Sequence, residues 1–238
     1  MSLLRAVIFD AGNTLLFLDF DRLAREVGTA IGVALDGPRI AATAPDAARA
    51  LERKERLTDR ERATRYLELL FQHAGVDPLQ LPAVREALLQ MHATRHLWSG
   101  VHPGTPKALA RLRELGIPLA VVSNSDGRVE EALRVAGIRD AFDVVIDSAV
   151  VGVEKPAPAI FGHALAALGV AAHEAIYVGD IYEIDVVGAR AAGLDVVLVD
   201  PDGRNAGRDV PTHACVADVV TALVHSGRLV ASGITADP

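Results

Sequence analysis

A single cysteine, Cys215, stands among 238 residues, which excludes an internal disulfide and any zinc site built on several thiolates. Aromatic residues are scarce as well, at 4 % of the chain, so the core is expected to be aliphatic. An excess of positive charge is missing. The formal net charge is −7, which argues against the basic face that a nucleic-acid partner requires. No apolar run approaches the ~20 residues of a membrane span, and the opening MSLLRAVIFD reaches an aspartate too early for a signal peptide. There is no glycine-rich dinucleotide fingerprint and no phosphate-loop lysine motif. The eight histidines are not expected to hold a metal, and His213 with Cys215 is too small a set for zinc. Together these absences leave a cytoplasmic enzyme acting on a small molecule, with no nucleic-acid and no membrane partner. Monomer and homodimer both stay open.

What the chain does contain is a regular alternation. Short apolar runs at 4–10, 118–123, 143–147, 175–179 and 194–199 read as strands buried on both faces. Helical patterns at about 105–115, 127–137, 157–169 and 183–192 fall between them, ending near Gly116, Gly137, Gly169 and Gly193. Alternating strands and helices predict an α/β fold, a parallel sheet with helices on both faces. The stretch 18–97 lacks strand-like runs and is rich in Arg, Glu, Ala and Leu at helical spacing. It is expected to be a small all-helical cap inserted after the first strand, with the core made of 1–17 and 98–238. Residues 200–213 read as loop and 216–225 as a final helix.

In open parallel sheets, ligands bind at the carboxyl ends of the strands. The first run ends in Asp10, the second in Ser123 followed by Asn124, and the fourth in Gly179-Asp180, with Asp185 five residues on. Lys155 follows the third, in GVEKPAP. Each residue taken alone also suits a turn, a helix cap or an ordinary surface position. Gathered at one edge, the acidic side chains would repel each other unless a cation held them.

The pieces VIFDAGNTLL (7–16), AVVSNSDG (120–127), VGVEKPAPAIF (151–161) and VGDIYEIDVVGARAAG (178–193) resemble, in order, the motifs of the haloacid dehalogenase-like (HAD) hydrolase superfamily. VHPGTPKALARL (101–112) looks like that family's return from the cap. The resemblance implies a Rossmann-like core and a phosphatase of small phosphorylated metabolites that uses Mg²⁺. It implies Asp10 as the nucleophile that becomes an aspartyl-phosphate, and Asp10, Asp180 and the carbonyl of Gly12 as metal ligands. Ser123, Asn124 and Lys155 would bind the phosphoryl group, with Asp185 in support of Lys155 or a metal-bound water.

One position departs from the family pattern. Phosphatases of this kind carry a second Asp two residues after the nucleophile, as general acid and base; here that position is Gly12. Asn13 and Thr14 are no substitute acids at neutral pH. The loss, about 10²–10⁴-fold for a general acid, predicts a preference for leaving groups that need little protonation, such as acyl phosphates, enol phosphates or phenols. Dehalogenation is an alternative, because halide needs no proton, but dehalogenases of the family lack the metal-binding aspartate that this chain keeps. A phosphonate-cleaving relative uses a cap lysine; Lys54, flanked by Arg53, Glu55 and Arg56, reads as a solvated helix face instead. A fold kept only for binding or regulation is the remaining reading. Arg53, Arg56 and Arg65 are candidates for recognising a second anionic group of the substrate. Trp98 is expected to pack rather than to bind, and His102 to serve a loop.

Overall fold

The computed structural model describes residues 3–52 and 59–231. In chain order these form β1 (Ala6–Phe9), β2 (Phe17–Leu18), α1 (Phe20–Ile31), α2 (Gly37–Ala41), α3 (Ala44–Glu52), α4 (Asp59–His73), α5 (Leu81–Thr94) and β3 (Trp98–Gly100). There follow α6 (Thr105–Glu114), β4 (Leu119–Ser123), α7 (Val129–Val135), β5 (Val144–Asp147), α8 (Ser148–Val151) and α9 (Ala159–Leu168). The last are β6 (Ala175–Gly179), α10 (Val187–Ala191), β7 (Asp195–Val199), β8 (Thr212–His213) and α11 (Val216–His225).

Among the described residues, six strands form one sheet in the order β5-β4-β1-β6-β7-β8, and every neighbouring pair is parallel. β1 is central, with β4 on one side and β6 on the other, so the chain switches direction across the sheet beside β1. That switch leaves a crevice at the carboxyl edge. Its position is fixed by register: Phe9, the last residue of β1, pairs with Val121 and Val178. β1, β4 and β6 are buried along their whole length, as expected for strands covered on both faces. Ile8, Ala120, Val122, Ile160, Phe161, Ala164 and Tyr177 belong to one aliphatic-rich layer. Among the sparse aromatics, Phe161 packs against Tyr177 edge to face at 5.0 Å.

The chain divides into two compact units, Met1–Phe17 with Gly100–Pro238, and Leu18–Ser99. The two crossings fall within β2 and β3, a two-stranded sheet that the composition of 18–97 did not announce. The second unit has its own core around Leu23, Val27, Ile40, Leu70, Phe71 and Val84, with Trp98 packed on it. Arg65 in this unit bonds Glu68 at 3.3 Å; Arg53, Lys54 and Arg56 lie outside the described residues. No helix among the described residues is long and apolar enough to cross a membrane.

The largest departure from the periodicity lies at 183–192. That stretch is not one α-helix: residues Tyr182–Val186 form a π-helical turn that passes into α10. Within this turn the carboxylate of Asp185 folds back onto the chain ahead of it, accepting the N–H groups of Asp180 and Ile181. π-turns of this kind occur at functional sites more often than elsewhere.

Candidate active site

Asp10 directly follows β1, and its backbone N–H donates to the carbonyl of Val178 at 2.8 Å. This bond extends the β1–β6 ladder by one residue and fixes where the carboxylate leaves the sheet. The ammonium of Lys155 donates to Asp10 Oδ1 at 2.6 Å, to Asp185 Oδ1 at 2.8 Å and to the hydroxyl of Tyr177 at 2.8 Å. Asp185 uses its other oxygen, Oδ2, to accept the backbone N–H groups of Asp180 and Ile181, both at 2.9 Å. Asp10, Lys155, Asp180 and Asp185 are all buried.

The approach of Asp185 to β6 needs a glycine. A Cβ at Gly179 would sit 2.5 Å from Asp185 Cγ, far inside contact distance, so only a hydrogen fits there. Gly188 serves the neighbouring segment in the same way. A Cβ there would lie 2.9 Å from Phe161 Cε2 and from Pro156 Cα, the residue after Lys155.

Asn124 is bonded to the Lys155 main chain. Its amide nitrogen donates to the Lys155 carbonyl at 3.0 Å, and its oxygen accepts from the Lys155 N–H at 2.7 Å. This reciprocal pair holds the Lys155 main chain against the loop after β4. Ser123 is buried at the end of β4, two residues past the Phe9–Val121 pair and opposite Asp147. The loop that follows is held by Asp147, whose oxygens accept the N–H groups of Gly127 at 3.0 Å and Val129 at 3.2 Å. Gly12 lies in a tight turn after Asp10, bridged to Leu16, with Asn13 at a positive φ of 56°.

Four features escaped the sequence. Tyr177 is hidden inside an apolar strand. Arg204, in the loop after β7, brings Nη2 to 4.0 Å from Asp180 Oδ2. That loop is closed by Asp200, which accepts the N–H groups of Arg204 at 2.9 Å and Asn205 at 2.7 Å. Thr14, 1 % exposed, has a hydroxyl with no hydrogen-bond partner, which leaves one polar atom uncommitted in the turn after Asp10.

The electrostatics are unbalanced. Burial pushes the Asp10 carboxyl up to about 6; Lys155 pulls it down and Asp185 pushes it up again. Burial likewise holds Asp180 well above the usual carboxylate range, reinforced by the charges of Asp185 and Asp10 and opposed by Arg204 and Lys155. Lys155 goes the opposite way. Burial alone would lower it, but the charges of Asp10 and Asp185 prevail and hold it well above the usual lysine value, so it is a cation at neutral pH. Tyr177 is kept neutral, pushed up chiefly by burial.

One carboxylate oxygen from each of Asp10, Asp180 and Asp185 lies within 4.8 Å of the others. Asp185 has both oxygens committed to Lys155, Tyr177 and backbone N–H groups, so Asp10 and Asp180 are the pair that could hold a cation. Both carry raised pKa values, and a divalent ion would relieve the cost of ionising them. An all-oxygen donor set suits a hard ion such as Mg²⁺.

The sequence pattern of the haloacid dehalogenase-like hydrolases matches residues 4–193. The chain is 37 % identical over 132 residues to haloacid dehalogenase-like hydrolase domain-containing protein 3 of Xenopus laevis, covering 55 % of this chain and 54 % of that protein. It is 38 % identical over 136 residues to a glyceraldehyde 3-phosphate phosphatase of Methanopyrus kandleri, covering 57 % and 58 %. The chain thus matches about half the length of these curated relatives. A HAD-hydrolase of Bacillus subtilis, solved bound to magnesium, shares the fold with a TM-score of 0.68 and 18 % identity, over 93 % of this chain and 99 % of that one. With most of its length inside the matched span, the chain belongs to the haloacid dehalogenase-like hydrolase family.

Proposed function

We propose that the chain is a Mg²⁺-dependent phosphatase of a small phosphorylated metabolite, working through an aspartyl-phosphate on Asp10 and favouring good leaving groups. The observation that carries this reading is the contact of the Lys155 ammonium with Asp10 at 2.6 Å, beside the second buried carboxylate of Asp180. A carboxylate that attacks a phosphate ester must approach negative charge. Here a fixed cation stands at the attacking group, and electrostatic stabilisation of that kind dominates phosphoryl transfer. The phosphatase names of relatives such as the Methanopyrus kandleri protein point the same way.

In the first half-reaction Asp10 attacks phosphorus and the bond to the leaving oxygen breaks, placing the phosphoryl group on the carboxylate. Lys155 and Ser123 hold the non-bridging oxygens. Asn124 acts one step removed, by fixing the Lys155 main chain. In the second half-reaction water adds to phosphorus, the acyl-phosphate bond breaks, and inorganic phosphate leaves Asp10 regenerated. A Mg²⁺ ion held by Asp10, Asp180 and the Gly12 carbonyl would supply charge neutralisation. No side chain at position 12 protonates the leaving oxygen, so the rate should fall steeply as the leaving-group pKa rises. The unit Leu18–Ser99 would serve as the cap that chooses the substrate.

A panel of phosphorylated metabolites with and without Mg²⁺, scored against leaving-group pKa, tests the reading. Turnover that requires the cation, is lost in Asp10→Asn and favours acidic leaving groups supports it. Halide release from 2-haloacids without any cation would install dehalogenation instead. Inertness toward the whole panel would leave a binding role.

A further inference from the structure

The ammonium of Lys155 has three N–H bonds, and each has a partner: Asp10, Asp185 and Tyr177. The three partners differ in what they could do next. Asp185 is pinned by the backbone N–H groups of Asp180 and Ile181. Tyr177 sits fully buried in the middle of β6, its ring edge-on against Phe161. Its single hydroxyl proton is shared between the carbonyl of Val122 at 3.0 Å and Asp185 Oδ1 at 3.3 Å. Only Asp10 belongs to the reacting centre.

We propose that Tyr177 is a positioning residue: together with Asp185 it locks the rotation of the Lys155 ammonium, so that one N–H alone is aimed at Asp10 and at the phosphoryl oxygen that reaches it. The inference rests on the phosphatase reading above. A phenylalanine would fill the same space in the strand, so filling the core does not account for the hydroxyl. The phenol does what a benzyl ring cannot: it accepts from the ammonium while donating to the carbonyl of β4. In this way it ties the lysine to both strands that flank β1. Its neutral state, kept by burial, suits both roles. With the hydroxyl gone, one N–H of Lys155 and the Val122 carbonyl lose a partner, and the ammonium is free to turn away from Asp10.

The test compares wild type with Tyr177→Phe. Steady-state hydrolysis of p-nitrophenyl phosphate with Mg²⁺, inhibition by inorganic phosphate, and melting with and without Mg²⁺ are measured. Loss of a hydrogen bond to a charged group corresponds to about 10–100-fold. We expect KM and the phosphate inhibition constant to rise together by a factor in that range, while the Mg²⁺-induced melting shift is retained. Unchanged KM and phosphate inhibition in an active protein overturn the inference and leave the phosphatase reading intact. Absence of phosphatase turnover in wild type removes the phosphatase reading, and the positioning role with it.

A second measurement covers failure of Tyr177→Phe to fold. The chain has three lysines, so ¹⁵N-lysine labelling gives three side-chain ammonium signals, with Lys155→Met as the assignment control. In active wild type, a locked ammonium exchanges its protons with water far more slowly than exposed Lys107, and its signal moves on adding inorganic phosphate. Exchange as fast as that of Lys107 overturns the lock.

Discussion

The two units of the chain bury charge in opposite ways. In Leu18–Ser99, buried charges are closed off. The Arg22 guanidinium donates to Glu26 at 3.1 Å and to the carbonyls of Met91 at 3.0 Å and of Arg95 and His96, both at 3.3 Å. Glu68 accepts from Arg85 at 3.1 Å and from Arg65 at 3.3 Å. Burial opposes its ionisation, yet the bonds and charge of Arg85 and then Arg65 win and hold its carboxyl below the usual range. In the other unit, the Lys155 ammonium bonds the buried carboxylates of Asp10 and Asp185, while Asp180 stands beside them with Arg204 Nη2 4.0 Å away, and two of the three carboxylates are pushed upward. Paired charge is structural; charge left in deficit is poised for a ligand.

Four experiments would break or sharpen that contrast. The largest effect is expected for Asp10→Asn, which should lower Mg²⁺-dependent phosphate-ester turnover by about 10⁴-fold or more, as removal of a nucleophile does, while the circular dichroism spectrum is unchanged. Lys155→Ala comes next. It strands Asp10 and Asp185 in the interior and should cost about 3–5 kcal/mol in urea unfolding, the range for breaking a buried pair. A cost below about 1 kcal/mol, the range of exposed pairs, would mean the two units do not differ.

The third experiment is opposite in sign in the two units. Asp180→Asn should raise the melting temperature of the cation-free protein and abolish its response to Mg²⁺, whereas Glu68→Gln should lower the melting temperature, by the equivalent of about 1 kcal/mol. The fourth concerns pH. The folded Asp10 pKa of about 6 lies above the ordinary 3.8, so the folded state keeps its proton longer than the unfolded chain. The stability this contributes is present in full below about 3.8 and is lost as pH rises through about 6. A bound cation needs the ionised form. The Mg²⁺-induced melting shift should therefore be small at pH 5 and reach a plateau above about pH 7. A shift independent of pH would show that Asp10 is not strained by burial.

Much of the architecture was legible because a parallel sheet buried on both faces is written as uninterrupted apolar runs, each ended by the first residue that cannot stay in the sheet. Asp10, Ser123 and Asp180 were visible for that reason: each is the polar residue at which such a run stops. What the runs conceal is a polar atom inside them. Tyr177 in AIYVG reads as one more core residue, because sequence alone does not say that its hydroxyl meets Lys155. The π-turn at Tyr182–Val186 was invisible because its residues keep helical spacing; only the carboxylate of Asp185 reaching back to Asp180 and Ile181 reveals the widened turn. Arg204 and Asp200 sit in DPDGRNAG, where polar residues carry no periodicity. Asn124 stands in the strand-end motif, but its reciprocal bonds to the Lys155 main chain depend on a partner 31 positions away, which no local spacing connects.

That last pair has a consequence for how the chain can change over time. Because the amide of residue 124 grips both the N–H and the carbonyl of residue 155, the loops behind two neighbouring strands answer to one fastening. A drift in the length or composition of either loop would be felt first as a mis-set lysine, not as a lost fold. Variation at these two places should therefore be inherited jointly, while the stretches on either side remain free to wander.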